Sequence, residues 1–189
     1  MRTEEEQIEA IKKWWEENGK QTVVAAVVVL GGWFGYQGYE SNVKATGEAA
    51  SAVYQQVLTL SASEEESDKG QRAVLLDQLQ SEYSSTVYAQ FASLFKAKDA
   101  VEAGDLALAE TELTTVVSSA SDAAIQHLAT VRLARVMIAQ EKLDDALALL
   151  NNDNAGAFEA EYEETKGRLW HLRYALEDNP QQAVIVATT

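Results

Sequence analysis

The sequence predicts an all-α protein in which a single N-terminal transmembrane helix is followed by an array of helical hairpins. The first observation is an apolar stretch near the N-terminus, residues 21–39, that contains no charged side chain. The second is the composition, because one proline in 189 residues and abundant Ala, Leu, Glu and Gln are typical of helices. The third is an internal repeat, in which a helix–turn–helix pattern recurs after 37 residues.

The N-terminal tail, residues 1–20, is predicted to be a short amphipathic helix. Thr3 and Glu6 have the spacing of a capping box, and Asn18-Gly19 is a helix stop signal. The apolar residues recur at helical spacing and form one face: Ile8, Ile11, Trp14 and Trp15. This face is expected to lie on the membrane surface, to contact a partner or simply to orient the anchor.

Residues 21–39 (QTVVAAVVVLGGWFGYQGY) are interpreted as a retained membrane anchor. As a helix they span about 28 Å, close to the hydrocarbon thickness of a bilayer. The aromatic residues crowd one end, as in an interfacial belt, and Gly38 is expected to end the helix. A buried core helix or, given the valine run, a buried strand is the alternative, but the stretch has no polar face. A cleaved signal peptide fits poorly, because the tail is long and acidic.

The basic residues near the anchor predict its orientation. Arg2, Lys12, Lys13 and Lys20 precede it, whereas Lys44 alone follows within about twenty residues. The tail is therefore expected to be cytoplasmic, and the domain at residues 40–189 to lie across the membrane. From residue 40 onward the domain has 24 acidic residues (30 − 6) against 11 basic ones (15 − 4), which argues against nucleic acid and anionic lipid as its ligands. The absence of cysteine excludes disulfides and thiol nucleophiles.

Two helices, residues 42–60 and 71–83, are expected to follow the anchor, with the acidic segment 61–70 as a loop between them. The repeat comes next, and its copies start at Phe91 and Leu128. Small residues are shared at equivalent places and predict close crossings of the two helices within each hairpin: Ala97 and Ala109 in the first copy, Ala134 and Ala146 in the second.

The turn and the end of the array depart from strict repetition. Gly104-Asp105 supplies a turn and an N-cap in the first copy, whereas Glu141-Lys142 stands there in the second. Residues 158–177 begin a third unit in which Gly167 is the expected crossing residue. Asn179 occupies the place of its small partner and Ala183 comes four residues later, which predicts a longer first helix and an abbreviated or shortened final unit.

No pattern of catalytic or cofactor-binding residues is evident. His127 and His171 are the only histidines, and we interpret each as ordinary helix surface. Phosphate-binding and nucleophile-elbow motifs are missing. The acidic clusters 64–66 and 163–164 are expected to be solvated surface. The sequence thus predicts a protein that is not an enzyme and takes no cofactor and no metal.

The hairpin spacing resembles the tetratricopeptide repeat, which has such a pair of small residues, a Gly-Asp turn and a similar period. A second resemblance covers residues 4–170: the tail EEEQIEAIKKWWEENGK running into a transmembrane helix, then ASAVYQQVL, then VRLARVMIA in the second hairpin. These segments look like the YfgM family, whose members are ancillary subunits of the bacterial Sec translocon.

The family resemblance implies a single-pass type II protein of the bacterial inner membrane with its repeat domain in the periplasm. It implies association with the SecYEG translocon and with a membrane-anchored periplasmic chaperone of the prolyl-isomerase type. The implied role is assistance in the handover of exported proteins to chaperones. The alternative is a membrane-anchored repeat scaffold for envelope assembly or cell division.

A partner-binding face is predicted on the first helix of each clear hairpin, residues 88–103 and 125–140. In helical-repeat proteins these helices line the concave surface. Six residues form two equivalent stripes there: Phe91, Leu94 and Lys98 in one helix, Leu128, Val131 and Arg135 in the other. The apolar members would give unselective contact and the two cations would accept carboxylates. Packing of the apolar residues by the neighbouring hairpin is the alternative.

Overall fold

The computed structural model describes residues 4–63, 65–151 and 155–178 and divides the chain into two compact units, residues 1–48 and 49–189. Within the described ranges every regular element is helical, which confirms the predicted fold class. The elements are α1 Glu4–Ser61, α2 Glu66–Glu82, α3 Val87–Glu102, α4 Leu106–Ser119, α5 Ala123–Ala139, α6 Leu143–Leu150, a 3₁₀ turn Gly156–Phe158, and α7 Glu159–Asp178.

The first unit contains the part of α1 that carries the apolar stretch. By length and composition α1 is a helix able to cross a membrane, and the apolar window that qualifies it is not buried by any described residue. Its valines are exposed around the whole circumference, for example Val24 and Val29 at 62% and 69%. A side-chain set of this kind is stable only in contact with another apolar phase or partner.

The expected breaks inside α1 are wrong, because the helix continues through Asn18-Gly19 and through Gly38. The side-chain amide of Asn18 donates to the backbone carbonyl of Trp14, 3.2 Å away, and the Thr22 hydroxyl donates to the backbone carbonyl of Asn18 at 3.0 Å. The side chains that compete with helical bonds at a cap thus bond back into the same helix. Gly19 lies beneath the Trp15 ring and has no positive φ, which a glycine stop requires. Thr3, of the expected capping box, lies outside the described residues.

In the repeat region of the second unit, each helix packs against the helix that follows it in the chain. α3 packs against α4, α4 against α5, and α5 against α6. The four alanines predicted at the crossings are all buried, Ala97 at 3% and Ala109, Ala134 and Ala146 at 0% exposure. The first pair belongs to one hydrophobic core cluster and the second pair to the next. These burials support the register inferred from the repeat.

The two turns have the same backbone geometry although their residues differ. Gly104 has φ 78°, and the equivalent Glu141 has φ 61°. The Asp105 amide donates to the Ala100 carbonyl at 2.8 Å, and the equivalent Lys142 amide donates to the Met137 carbonyl at 2.9 Å. Both are left-handed helix ends of the kind that glycine favours. Tertiary packing of the second hairpin therefore holds a glutamate in a conformation that L residues seldom adopt.

α2 precedes the repeat, packs against α3 and is joined to α3 and α4 by charged and polar side chains. α2 starts at Glu66, so the expected loop at residues 61–70 is shorter than predicted. The buried Glu112 carboxylate of α4 accepts from the Gln80 amide of α2 at 2.7 Å and lies 3.2 Å from Lys96 Nζ. Burial lowers the pKa of Lys96, but hydrogen bonds and charge interactions with Asp77 and Glu112 prevail and raise it. These ionic contacts tie α2, α3 and α4 together in one arrangement.

α7 packs against α5 of the second hairpin, partly through a histidine. His127 Nδ1 lies 3.0 Å from the Tyr162 hydroxyl, and its ring stacks on Phe158 with centroids 5.5 Å apart. Tyr162 is 2% exposed, so His127 is a packing residue and not simple helix surface. The first helix of the third unit was expected to be longer than those of the other units. α7 has 20 residues, whereas α3 has 16. Within the part of the chain that the structure describes, Gly167 has open space on its side-chain side. The helix that it was expected to cross falls after residue 178, outside the described residues.

The crossing at Ala134 predicts sensitivity to side-chain size. Replacement of Ala134 by Leu inserts three carbons where the residue is fully buried, so the free energy of unfolding is expected to fall by roughly 1–3 kcal/mol. Chemical denaturation of the full chain in detergent micelles measures it. Ala107→Leu, at an exposed position of α4, is the control and should leave stability within about 0.5 kcal/mol. Equal stability of the two variants would contradict the crossing.

The strained backbone at Glu141 predicts that a glycine at this position makes the protein more stable. Glu141→Gly removes the left-handed strain of a side chain at φ 61° and is expected to raise the free energy of unfolding by about 1 kcal/mol. Gly104→Ala is the mirror control, because it introduces the same strain at φ 78° and should lower stability by a similar amount. Melting temperatures that move in the same direction for both variants would refute the shared turn geometry.

Candidate partner-binding face

An apolar cavity of about 400 Å³ opens between the first helices of the two clear hairpins. Its floor is built from residues of the first core cluster, because Leu94, Leu113 and Val136 are all at most 9% exposed. α4 lies beneath the cavity and closes it from below. The lining comprises Leu94, Ala97, Lys98, Val101, Glu102, Leu106, Leu113, Arg132, Arg135, Val136 and Ala139.

A second cavity of about 310 Å³ adjoins the first and shares its walls at Leu94, Lys98 and Arg132. Aromatic side chains form its far side. The lining comprises Tyr54, Phe91, Leu94, Phe95, Lys98, Leu128 and Arg132. The two cavities have three lining residues in common, and we call the pair of them the α3–α5 groove.

Tyr54 organises the aromatic end of the groove. Its ring lies 5.4 Å from that of Tyr88, 5.5 Å from that of Phe91 and 6.1 Å from that of Phe95, measured between centroids. Tilted and edge-on contacts at these separations are the favoured geometries of aromatic pairs. Burial, and then the negative charge of an ionised Tyr88, raise the pKa of Tyr54 above its ordinary value. The phenol therefore stays neutral at physiological pH and contributes an apolar ring with a polar tip.

The charges around the groove are mostly positive. Three of the four charged side chains that line it, within the described part of the chain, are the cations Lys98, Arg132 and Arg135. Lys98 Nζ lies 3.0 Å from the Glu102 carboxylate one turn away, with both side chains 60% exposed. Arg135 lies 3.9 Å from Glu164 and bonds Thr165 at 3.4 Å. Arg132 is exposed and makes no ion pair or hydrogen bond with any residue that the structure describes.

Five of the six residues predicted from the sequence line this groove: Phe91, Leu94, Lys98, Leu128 and Arg135. Val131 does not, because it is 4% exposed and packs in the second core cluster with Ala146 and Tyr162. α5 has α6 and α7 on its other side, and Val131 faces them. The alternative of packing by the neighbouring hairpin thus holds for Val131.

Three of the groove residues that sequence reasoning missed are aromatic or cationic, namely Tyr54, Phe95 and Arg132. Arg132 and Phe95 follow Leu128 and Phe91 by four residues, so the same helical period that picked the stripes also includes them. Tyr54 precedes Phe91 by 37 residues, which is the period of the repeat, so it holds the place equivalent to Phe91 and Leu128, and the fold brings its ring against that of Phe91. Within the described residues, no three His, Cys, Asp or Glu side chains lie close enough together to hold a metal ion.

Comparison with known proteins gives the same architecture. A family model described as a tetratricopeptide repeat-like domain matches residues 12–180. A Haemophilus influenzae protein named ancillary SecYEG translocon subunit is 32% identical over 83% of this chain and 75% of its own length. Proteins of the same name from Aggregatibacter actinomycetemcomitans and Escherichia coli are 35% and 30% identical over 79% and 78% of this chain and 71% and 69% of their own lengths. No solved structure matches.

Proposed function

The chain belongs to the tetratricopeptide repeat-like domain family and, within it, to the family of the proteins named ancillary SecYEG translocon subunit, and on this premise we propose that it is a membrane-anchored, non-catalytic subunit associated with SecYEG. The observation that carries the proposal is the extent of the match, which includes both the apolar part of α1 and the hairpins. A binding role also suits a second unit that carries an apolar groove on its surface.

The proposed topology is a cytoplasmic tail at residues 1–20, a bilayer-spanning segment at 21–39 and a periplasmic domain at 40–189, in the bacterial inner membrane. The exposed and uncharged side chains of residues 21–39 within α1 support the span. The four basic residues before the segment, against Lys44 after it, support the orientation. The strongly acidic composition suits a domain that stays soluble and avoids anionic headgroups.

The proposed partners are the SecYEG translocon and a membrane-anchored periplasmic chaperone of the prolyl-isomerase type. In this role the domain receives segments of exported chains, or of the chaperone, and assists their handover. The α3–α5 groove is the proposed contact site, with Phe91, Leu94 and Leu128 as apolar contacts and Lys98 and Arg135 as charged ones. Val131 is not part of this surface, because it is buried against α6 and α7.

The topology predicts the behaviour of reporter fusions. A reporter active only in the periplasm, joined after Thr189, is expected to be active, and one active only in the cytoplasm to be silent, because basic residues are retained on the cytoplasmic side. Replacement of Lys12, Lys13 and Lys20 by Gln should reduce the difference between the two reporters. The reverse pattern in the unaltered chain would refute the orientation and the chaperone partner with it.

The partner proposal predicts what the full chain recovers from native membranes in mild detergent. Sec subunits are expected in the purified material, whereas division or wall-synthesis proteins in their place would favour the envelope scaffold. Lys98→Glu combined with Arg135→Glu should preserve the fold, because both side chains are exposed, and reduce recovery of groove-bound partners. Lys69→Glu, an exposed site on α2 outside the groove, is the control. Equal recovery by all variants would exclude the groove as the contact site.

A further inference from the structure

We infer that the α3–α5 groove selects an acidic segment of a partner polypeptide, in which carboxylates stand between large apolar side chains. The inference rests on the proposed function in one respect, that the occupant is a polypeptide. It deepens that function by giving the chemistry of the segment, which neither the family nor the names of the relatives specify.

The charge balance of the groove is opposite to that of the chain. The whole sequence has two acidic residues for each basic one, with a net charge of −15. The two cavities are lined by Lys98, Arg132 and Arg135 against Glu102 alone among the described residues. A positive patch over an apolar, low-dielectric floor attracts carboxylates more strongly than the same cations in open solvent.

The cations of the groove are available to a partner. The Lys98–Glu102 pair is exposed and one helical turn apart, so it contributes little and is exchanged readily. Arg135 lies at 3.9 Å from Glu164, the limit of an ion pair. Arg132 has no partner among the described residues, and its planar guanidinium suits bidentate contact with a carboxylate.

The positions of these cations define the order of groups in the bound segment. Lys98 and Arg132 line both cavities, so they stand at the junction between the two. The aromatic cavity beside Tyr54 and Phe91 lies on one side of this junction, and the larger aliphatic cavity over Leu113 lies on the other. A segment that fills both cavities places its carboxylates at the junction between two apolar anchors, which is the chemistry we propose.

The acidic remainder of the domain makes the choice selective. Carboxylates of a partner are repelled by the net negative charge of the domain and attracted at the groove, which favours binding of an acidic segment at the groove. A basic segment would instead find acidic side chains at many places and gain nothing from the groove. Selection thus comes from repulsion elsewhere as much as from attraction within the groove.

The test uses the full chain in detergent micelles and a short synthetic dye-labelled peptide with a Glu-Glu pair between two leucines. Two matched peptides carry Gln-Gln or Lys-Lys in place of the glutamates, and binding is followed by fluorescence anisotropy. The Glu peptide is expected to bind about tenfold more tightly than the Gln peptide, with an affinity that falls as salt is added. The double variant Lys98→Glu with Arg132→Glu should no longer prefer the Glu peptide and should bind the Lys peptide more tightly, whereas Lys69→Glu should leave the preference for the Glu peptide unchanged.

Equal binding of the Glu and Gln peptides, or an unchanged preference in the double variant, would overturn the inference. Circular dichroism of each variant shows that a loss reflects contact and not unfolding, and an unfolded double variant is replaced by Arg132→Gln alone, which keeps the size of the residue approximately. The proposed function is tested separately by Sec subunits in the membrane purification. Their recovery without acidic selectivity would overturn only the inference, whereas their absence would overturn the proposed function whatever the peptides do.

Discussion

The close approach of paired helices is the constraint on which the second unit depends. Ala97 and Ala109 are buried in the core cluster of the first hairpin, and Ala134 and Ala146 in that of the second. Alanine at these positions lets the backbones approach, and the larger residues of the core then fill the space on either side. Because the same crossing recurs after 37 residues, successive hairpins present equivalent helices to the same surface. The α3–α5 groove is the space left between two such helices.

The two turns have the same backbone geometry, and in the second hairpin this geometry strains the backbone of Glu141. The first hairpin has glycine in the left-handed position, whereas the second has Glu141 at φ 61°. The backbone hydrogen bonds of the two turns nevertheless match. A strained residue persists only when its surroundings determine the backbone, so the packing of α5 and α6 dominates over the local preference of the turn. The geometry of the groove therefore follows from the crossings and not from the turn residues.

Charged residues serve two different purposes in the same domain. Glu112 is buried and Lys96 is half-buried, and each has hydrogen-bond partners that join α2 to the repeat. A pair of this kind contributes specificity more than net stability, since desolvation offsets much of the attraction. Lys98 and Arg132 stand at the groove with weak or no partners among the described residues. The first set fixes how the helices are arranged, and the second set remains available to another molecule.

The sequence by itself determined the helices, the register of the repeat and the apolar segment of α1. These features depend on periodicity and composition, which are local properties: alanines twelve residues apart in both copies, and nineteen residues without a charge. Only the tertiary structure decided that Val131 faces α6 and α7 while Arg132 faces the groove. It also decided that the ring of Tyr54 contacts that of Phe91, 37 residues later in the chain. The structure likewise shows that α1 continues through Asn18-Gly19. The physical reason is that helical spacing tells which residues share a face, whereas what covers that face depends on contacts between elements far apart in the chain.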